Sequence, residues 1–416
     1  MGASRNATVP FLEELEGRLM LSATYTCGPT FIAIRGDSAA AATVTIADNG
    51  TSFTVTGATK TGTGTLPTLA NANKVAVTYS TTNKADTFTY NAATVVAHPL
   101  MSLTYNGGSA ADTVLVEKGV IKALTVNAGA GNNAVTVGGA TVDVTGALNI
   151  QNGTGNYAVT LGSDASAGTQ ILGAITVNDT ALAANTGTVK VETGTYGTVA
   201  HVTAPVTPAT AFGITTGLGT DTVYFQGTQT DNGATTVSLK NKNDVLHLGD
   251  GFTTNALTFN SNVVVSALTA GATVNVANSA TGSTVTFAKN FTTSLAGTST
   301  LQLTGNDAGN SITVNGNFTS NFTPVAASTV NFNVGTTGKA STLTLNGAAN
   351  NVNFGLAGAV TTSNINAHAI VLGAGSSTDI GVTATSRAVL SGALKTGLAL
   401  GVQPFTGVID GLQLNF

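Results

Sequence analysis

Residues 124–137 read Leu-Thr-Val-Asn-Ala-Gly-Ala-Gly-Asn-Asn-Ala-Val-Thr-Val, and this phrase returns along the chain with its landmarks in the same places. Apolar and polar residues alternate over Leu124, Thr125 and Val126, a Gly- and Asn-rich loop follows, and alternation resumes over Val135, Thr136 and Val137. Successive side chains of a strand point to opposite faces, so Leu124, Val126, Val135 and Val137 are expected on a buried face. Thr125 and Thr136 then fall on a wet one. Gly129 and Gly131 suit a turn that needs positive φ, while Asn127 and Asn133 tolerate the left-handed region and bond local backbone. The phrase is strand, turn, strand.

Neighbouring copies are 148–161 (LNIQNGTGNYAVTL) and 103–116 (LTYNGGSAADTVLV), with others at 77–90, 212–225 and 301–314 and shortened ones at 237–248 and 343–354. The starts at 77, 103, 124 and 148 follow one another at nearly even steps, and those at 212, 237, 301 and 343 read as one, two or three such steps further on. This spacing is that of a repeat architecture. One unit cannot stand alone. Each inward aliphatic side chain supplies ~1.5–3 kcal/mol, whereas ordering the backbone costs ~1–2 kcal/mol for every residue. Stacked neighbours must supply the remainder through a shared core and strand-to-strand hydrogen bonds. The expected fold is all-β: a single elongated parallel β-helix, or β-solenoid, with coils of about 21–26 residues. It is expected to be right-handed, as long-coil parallel β-helices generally are, and to follow a short N-terminal helical segment.

Composition narrows the function. Charged residues make up only 8% of the 416, hydrophobic ones 42%, and Gly numbers 50. Disorder requires the opposite balance. With 15 basic residues and a net charge of −4, no basic patch is available for a phosphate backbone, so nucleic acid is not an expected partner. Outward positions carry Thr, Ser and Asn, a polar but nearly uncharged surface that suits work outside the cell, or assembled on a surface. The same residues also simply fit strands and tight turns. Cys27 is the only cysteine, so no intramolecular disulfide or paired-cysteine metal site is expected. No apolar run reaches the length of a transmembrane helix.

Residues 1–23 are the one stretch with helical spacing, with Leu12, Leu15 and Leu19 on one face. Within it Leu15-Glu16-Gly17-Arg18-Leu19-Met20-Leu21-Ser22-Ala23 resembles the LEPR-XLL motif found near the N-terminus of many large exported or surface proteins of planctomycete-type bacteria. Gly17 stands where the motif has Pro, and Met20 where it has Leu. The resemblance implies export and an extracellular or cell-surface location; a helix covering the first coil is the other role this segment suits. Residues 24–75 carry strand signals at 43–47 and 52–56, split by the turn signal Asp48-Asn49-Gly50, and read as atypical first coils or a β-rich cap. The solenoid body is assigned to 76–402, with a longer insertion within 162–211, and residues 403–416 to a C-terminal cap.

Constellations with chemistry are few. Gly217 to Tyr224 (GLGTDTVY) fits the end of the calcium-binding nonapeptide, in which turn carbonyls and a carboxylate hold Ca²⁺ between coils. Asp112 is followed by Asn133 and then Tyr157 at the equivalent place, however, and an amide and a phenol do not sustain a row of such sites. Asp86, Asp112, Asn133, Asp221, Asp244 and Asn310 are instead expected as turn residues bonding backbone amides. His98, His201, His247 and His368 are scattered without zinc spacing, and His247 is expected to face solvent. Lys240, Lys242, Asp244 and Asp250 form the one dense charged patch of the body, the place for the acids of a polysaccharide lyase or hydrolase. A solvated face is the favoured reading of the patch. Asn290, Asn317 and Asn321 begin Asn-Phe-Thr sequons.

No residue is therefore assigned a catalytic, cofactor-binding or metal-ligating role. The sequence points to a non-enzymatic, exported structural or adhesive protein, with a surface polysaccharide or further copies of itself as partners. A carbohydrate-active β-helix and a calcium-dependent surface layer are the alternatives.

Overall fold

A computed structural model describes residues 23–414 with breaks, the longest being 197–210 and 392–411. The expected N-terminal helix lies outside the described residues. The chain is a β-solenoid: nearly every strand pairs in parallel with the equivalent strand one coil away. Each full coil contributes one strand to each of three sheets. Leu124–Gly129, Asn133–Val137 and Val142–Val144 form one such coil. The next coil aligns beneath it, with Leu124 opposite Leu148, Val135 opposite Val159 and Val144 opposite Ile171.

Alternation sets which residues face inward. Leu124, Val126, Val135 and Val137 are all buried, as their spacing requires. Because coils align in register, inward residues form continuous columns, such as Val114, Val135, Val159, Val189 and Val223. Aromatic rings continue the interior in the later coils, where Phe259, Phe287 and Phe291 stack at centroid distances of 5.3 and 4.2 Å. The turn glycines take the conformation expected of them, Gly129 with φ 75° and Gly131 with φ 93°. A Cβ at Gly131 would also lie 2.4 Å from the carbonyl oxygen of Ala110 in the adjoining coil, so both conformation and closeness demand glycine.

Two features of the repeat differ from the sequence expectation. Coils of the expected length do occur, Leu103 pairing with Leu124 and Leu124 with Leu148, but later ones are longer. Leu148 pairs with Ile175 and Thr235 with Val263, and both steps exceed the expected range. The coil from Ile175 to Phe212 is longer still and holds the expected insertion. The third-sheet strand is three residues at Val142–Val144 and two at Gln170–Ile171, so the first of these steps lengthens through its turns, and it reaches four at Ala256–Phe259 and Thr284–Phe287. The phrase also recurs out of phase. Copies from 77 to 225 run from first to second sheet. Residues 301–314 run from second to third, and residues 343–354 from third to first. All three corners solve the same problem of strand, tight turn and strand, so one phrase serves each.

The N-terminal end is built differently. Ala23–Gly28 pairs antiparallel with Phe31–Gly36, and Phe53–Thr56 antiparallel with Thr43–Asp48 across the turn read at Asp48-Asn49-Gly50. These strands cover the first-sheet and second-sheet edges that a bare solenoid end would expose. At the other end, Leu412–Leu414 adds a parallel strand to the second sheet beside Ala388–Ser391. That part of the segment expected as a C-terminal cap therefore continues the ladder.

Candidate functional site

Polar side chains gather at the corners, and their geometry explains why. At the corner between first and second sheets, Asp112 and Asn133 occupy equivalent places in successive coils and are both buried. Asp112 accepts the backbone N–H of Asp86 through Oδ1 at 3.0 Å, and Asn133 accepts that of Asp112 at 2.9 Å. Asp244 likewise accepts the N–H of Asp221 at 3.0 Å. Each side chain thus satisfies an amide of the preceding coil that the turn leaves without a strand partner. The second carboxylate oxygen reaches into its own turn: Asp112 Oδ2 takes the N–H of Gly108 at 3.2 Å and Asp221 Oδ2 that of Gly217 at 2.9 Å. The residues expected to bond backbone amides do so, and across coils as well as locally.

Side-chain acceptors bridge coils at the other corners as well. Between second and third sheets, Asn255 accepts from Gly227 N–H at 2.8 Å and Asn310 from Ser283 N–H at 2.9 Å. Between third and first the direction reverses and the bonds are exposed: Asn290 N–H donates to Asn262 of the preceding coil at 3.2 Å and Asn317 N–H to Asn290 at 2.9 Å. Two of the three sequon asparagines are therefore members of a corner ladder. Side-chain oxygens take the place of a strand partner's carbonyl there.

Removing one rung has a calculable cost. Asp112→Ala leaves the N–H groups of Asp86 and Gly108 without acceptors, an expected loss of about 2–3 kcal/mol. Asp112→Asn should lose less, since Asn133 already fills the equivalent rung one coil on. Chemical denaturation of the two variants checks the order; equal losses would contradict the ladder.

Burial shapes the titration of these acids. It pushes Asp221 up to about 6 and Asp231 up to about 7, against hydrogen bonds from Gly217 and from Thr235 and Gly233 that pull the other way. Asp86 and Asp112 are raised for the same reason. A carboxyl raised above its ordinary 3.8 binds more protons folded than unfolded. Its contribution is complete at low pH and is lost as pH rises through the window from about 4 to about 7. Melting temperature should therefore rise by several degrees on moving from pH 8 to pH 5. A thermal melt in matched ionic strength tests this, and a curve that falls over that interval would refute it.

In the calcium-type loop at 217–224 the carboxylate turns onto backbone. Asp221 is fully buried with Oδ2 on Gly217 N–H, whereas Ca²⁺ wants six to eight converging oxygens. Among the described residues, no three of His, Cys, Asp and Glu converge as metal ligands.

Nor do the two acids of the charged patch converge. Asp244 and Asp250 are buried at opposite ends of the strand Val245–Leu248. Asp244 is bonded by Asn241 N–H at 2.9 Å and the Thr216 hydroxyl at 2.7 Å, while Asp250 Oδ1 accepts Asn278 N–H at 2.7 Å. Lys240 is exposed; Lys242, His98, His201 and His368 lie outside the described residues.

One surface cluster was not anticipated. His247 has the outward phase expected of it, but it is only 20% exposed, with Nδ1 2.9 Å from Asp250 Oδ2. Its ring lies on that of Tyr224 at 4.7 Å and 6°, because the two are directly opposed in the second sheet. The signal in sequence was their equivalent position one coil apart, legible only once the register is known.

No helix among the described residues is long and apolar enough to cross a membrane. Comparisons with known proteins supply no relative: no family model, no curated protein and no solved structure matches this chain.

Proposed function

We propose that this chain is an exported, non-enzymatic structural or adhesive protein of the cell surface, a β-solenoid rod that displays Thr-, Ser- and Asn-rich faces. The observation that carries this reading is the division of polar groups. Carboxylates turn inward onto backbone N–H groups at the corners, and the outward columns are left largely to hydroxyls and amides. Such a body holds its shape without a charged shell, and partners meet it by shape and multiplicity. Export is supported by the resemblance of residues 15–23 to the LEPR-XLL motif. A surface polysaccharide or further copies of the rod are the partners this reading favours.

The alternative of a carbohydrate-active β-helix draws on one feature, the His247–Asp250 pair beside Tyr224. It lacks the convergence of two acids that glycoside chemistry uses, since Asp244 and Asp250 sit at different corners.

Fractionation of native cells, with sequencing of the mature N-terminus, tests the proposal. Recovery in the envelope or medium, with a start near Thr24, is the expected result. Intact protein confined to the cytoplasm would overturn it.

A further inference from the structure

Over four successive coils the outer face of the third sheet is uniform. Over Thr228–Asp231, Ala256–Phe259, Thr284–Phe287 and Ser311–Val314 the register runs without a shift. Thr230, Thr258, Thr286 and Thr313 form one column, and Thr228, Ala256, Thr284 and Ser311 the column beside it. The residues between the columns, Gln229, Leu257, Val285 and Ile312, are buried, so both columns face outward. Successive coils here are nearly equal in length, which keeps the columns straight.

The result is a two-dimensional lattice of hydroxyl and methyl groups. Its spacing is ~4.8 Å from strand to strand and ~6.6 Å between alternate residues along a strand. Threonine is stiff at χ1, so these groups are held before any ligand arrives. Over these four coils neither column contains an acid or a base, although nearer the N-terminal end the first runs on through Thr195, Gln170 and Asp143. Among the described residues, none makes a hydrogen bond to the hydroxyls of Thr230, Thr258, Thr286 or Thr313.

A matching ligand must be flat, extended and uncharged, and must repeat at both spacings. Anionic membranes, nucleic acids and mineral lattices need charge. Crystalline polysaccharide is met best by aromatic rings, and these columns carry none. Water ordered as ice has oxygen repeats close to both spacings; hydroxyls can join such a lattice while methyl groups settle between its oxygens.

We propose that the third-sheet face, centred on Thr258 and Thr286, binds the surface of ice. Alongside these four coils the other faces are less regular. The second sheet carries Lys190, Tyr224, His247 and Gln302 along one outward column. The first has Gly213 and Val264 in its threonine column, and its neighbouring column bonds to itself through Asn127–Asn106 at 2.8 Å and Ser238–Ser266 at 3.2 Å. The proposal stands apart from the cell-surface reading, since it concerns one face wherever the chain resides.

The test grows ice slowly on a cooled probe from a dilute solution of the full chain, with a non-binding soluble protein as internal reference. Many weak contacts acting together should carry the wild type into the ice about tenfold more than the reference. T258Y/T286Y should fall to the reference level, because bulky rings lift the face off a flat lattice. T125Y, on the first sheet, should behave as wild type. Circular dichroism melts verify folding, and T258K serves as a second variant if the double one does not fold. Exclusion of the wild type from ice would overturn the proposal, as would equal loss in T125Y. Retention on microcrystalline cellulose or chitin with exclusion from ice would overturn it in favour of a polysaccharide surface.

Discussion

Val135→Asp should unfold the middle of the solenoid. Val135 is 3% exposed and sits between Val114 and Val159 in an unbroken valine column. A carboxylate there lies away from the corner N–H groups that serve Asp112 and Asp221. An unpaired charge in such a place costs several kcal/mol, or is neutralised at comparable cost. Each coil draws its stability from its neighbours, so the damage spreads. Thr136→Asp, the adjoining residue on the outer face, should change stability by about 0.5 kcal/mol or less. Limited proteolysis and thermal melts compare the two variants. Indistinguishable melts would refute the inward assignment of Val135.

The contrast between those neighbouring residues is what made the fold legible. Alternation at 124–137 specifies which side chains are buried, and the recurrence of the phrase specifies that burial is shared between coils. What alternation does not specify is which pair of sheets a given copy joins. Residues 301–314 match the phrase in full and 343–354 in shortened form, yet both turn other corners. Every corner draws on small and amide-bearing residues, and positive φ is taken at the first two, as at Gly129 and Gly131 and at Gly227 and Gly249. The third sheet escaped notice in the clearest part of the repeat because its strand there is three residues long.

The candidate site was legible in its residues and illegible in its partners. Asp86, Asp112, Asn133, Asp221, Asp244 and Asn310 stand out in sequence as turn residues, and their amide-bonding role follows from side-chain chemistry. Their partners lie one coil away, at separations such as the 21 residues between Asp112 and Asn133, which depend on coil length. The charged patch shows a related limit. Proximity in sequence put Asp244 and Asp250 together, whereas the intervening strand Val245–Leu248 sends them to different corners. His247 and Tyr224, a whole coil apart along the chain, are stacked.

Register also governs which deletions the rod survives. Removing residues 125–148 joins Leu124 to Asn149, and since Leu124 and Leu148 are directly opposed, the excision removes one whole coil. The fused strand keeps its alternation, and Leu124 then stands between Leu103 above and Ile175 below, in phase with both. One rung is lost: Asp112 N–H, bonded to Asn133, would meet Tyr157 at the equivalent place. That orphaned donor sets the cost of the deletion at about 1–3 kcal/mol. Scattering should show a rod shorter by one strand spacing, ~4.8 Å. Removing only 125–136 joins Leu124 to Val137 and leaves a coil too short to visit all three sheets. Val142 and Val144 are then drawn out of the third sheet, and the core columns break on both sides of the cut. The expected result is a cooperative melt for the longer deletion and loss of that melt for the shorter one. Equal damage from both would mean that register does not hold the coils together, and the stacking argument would fall with it.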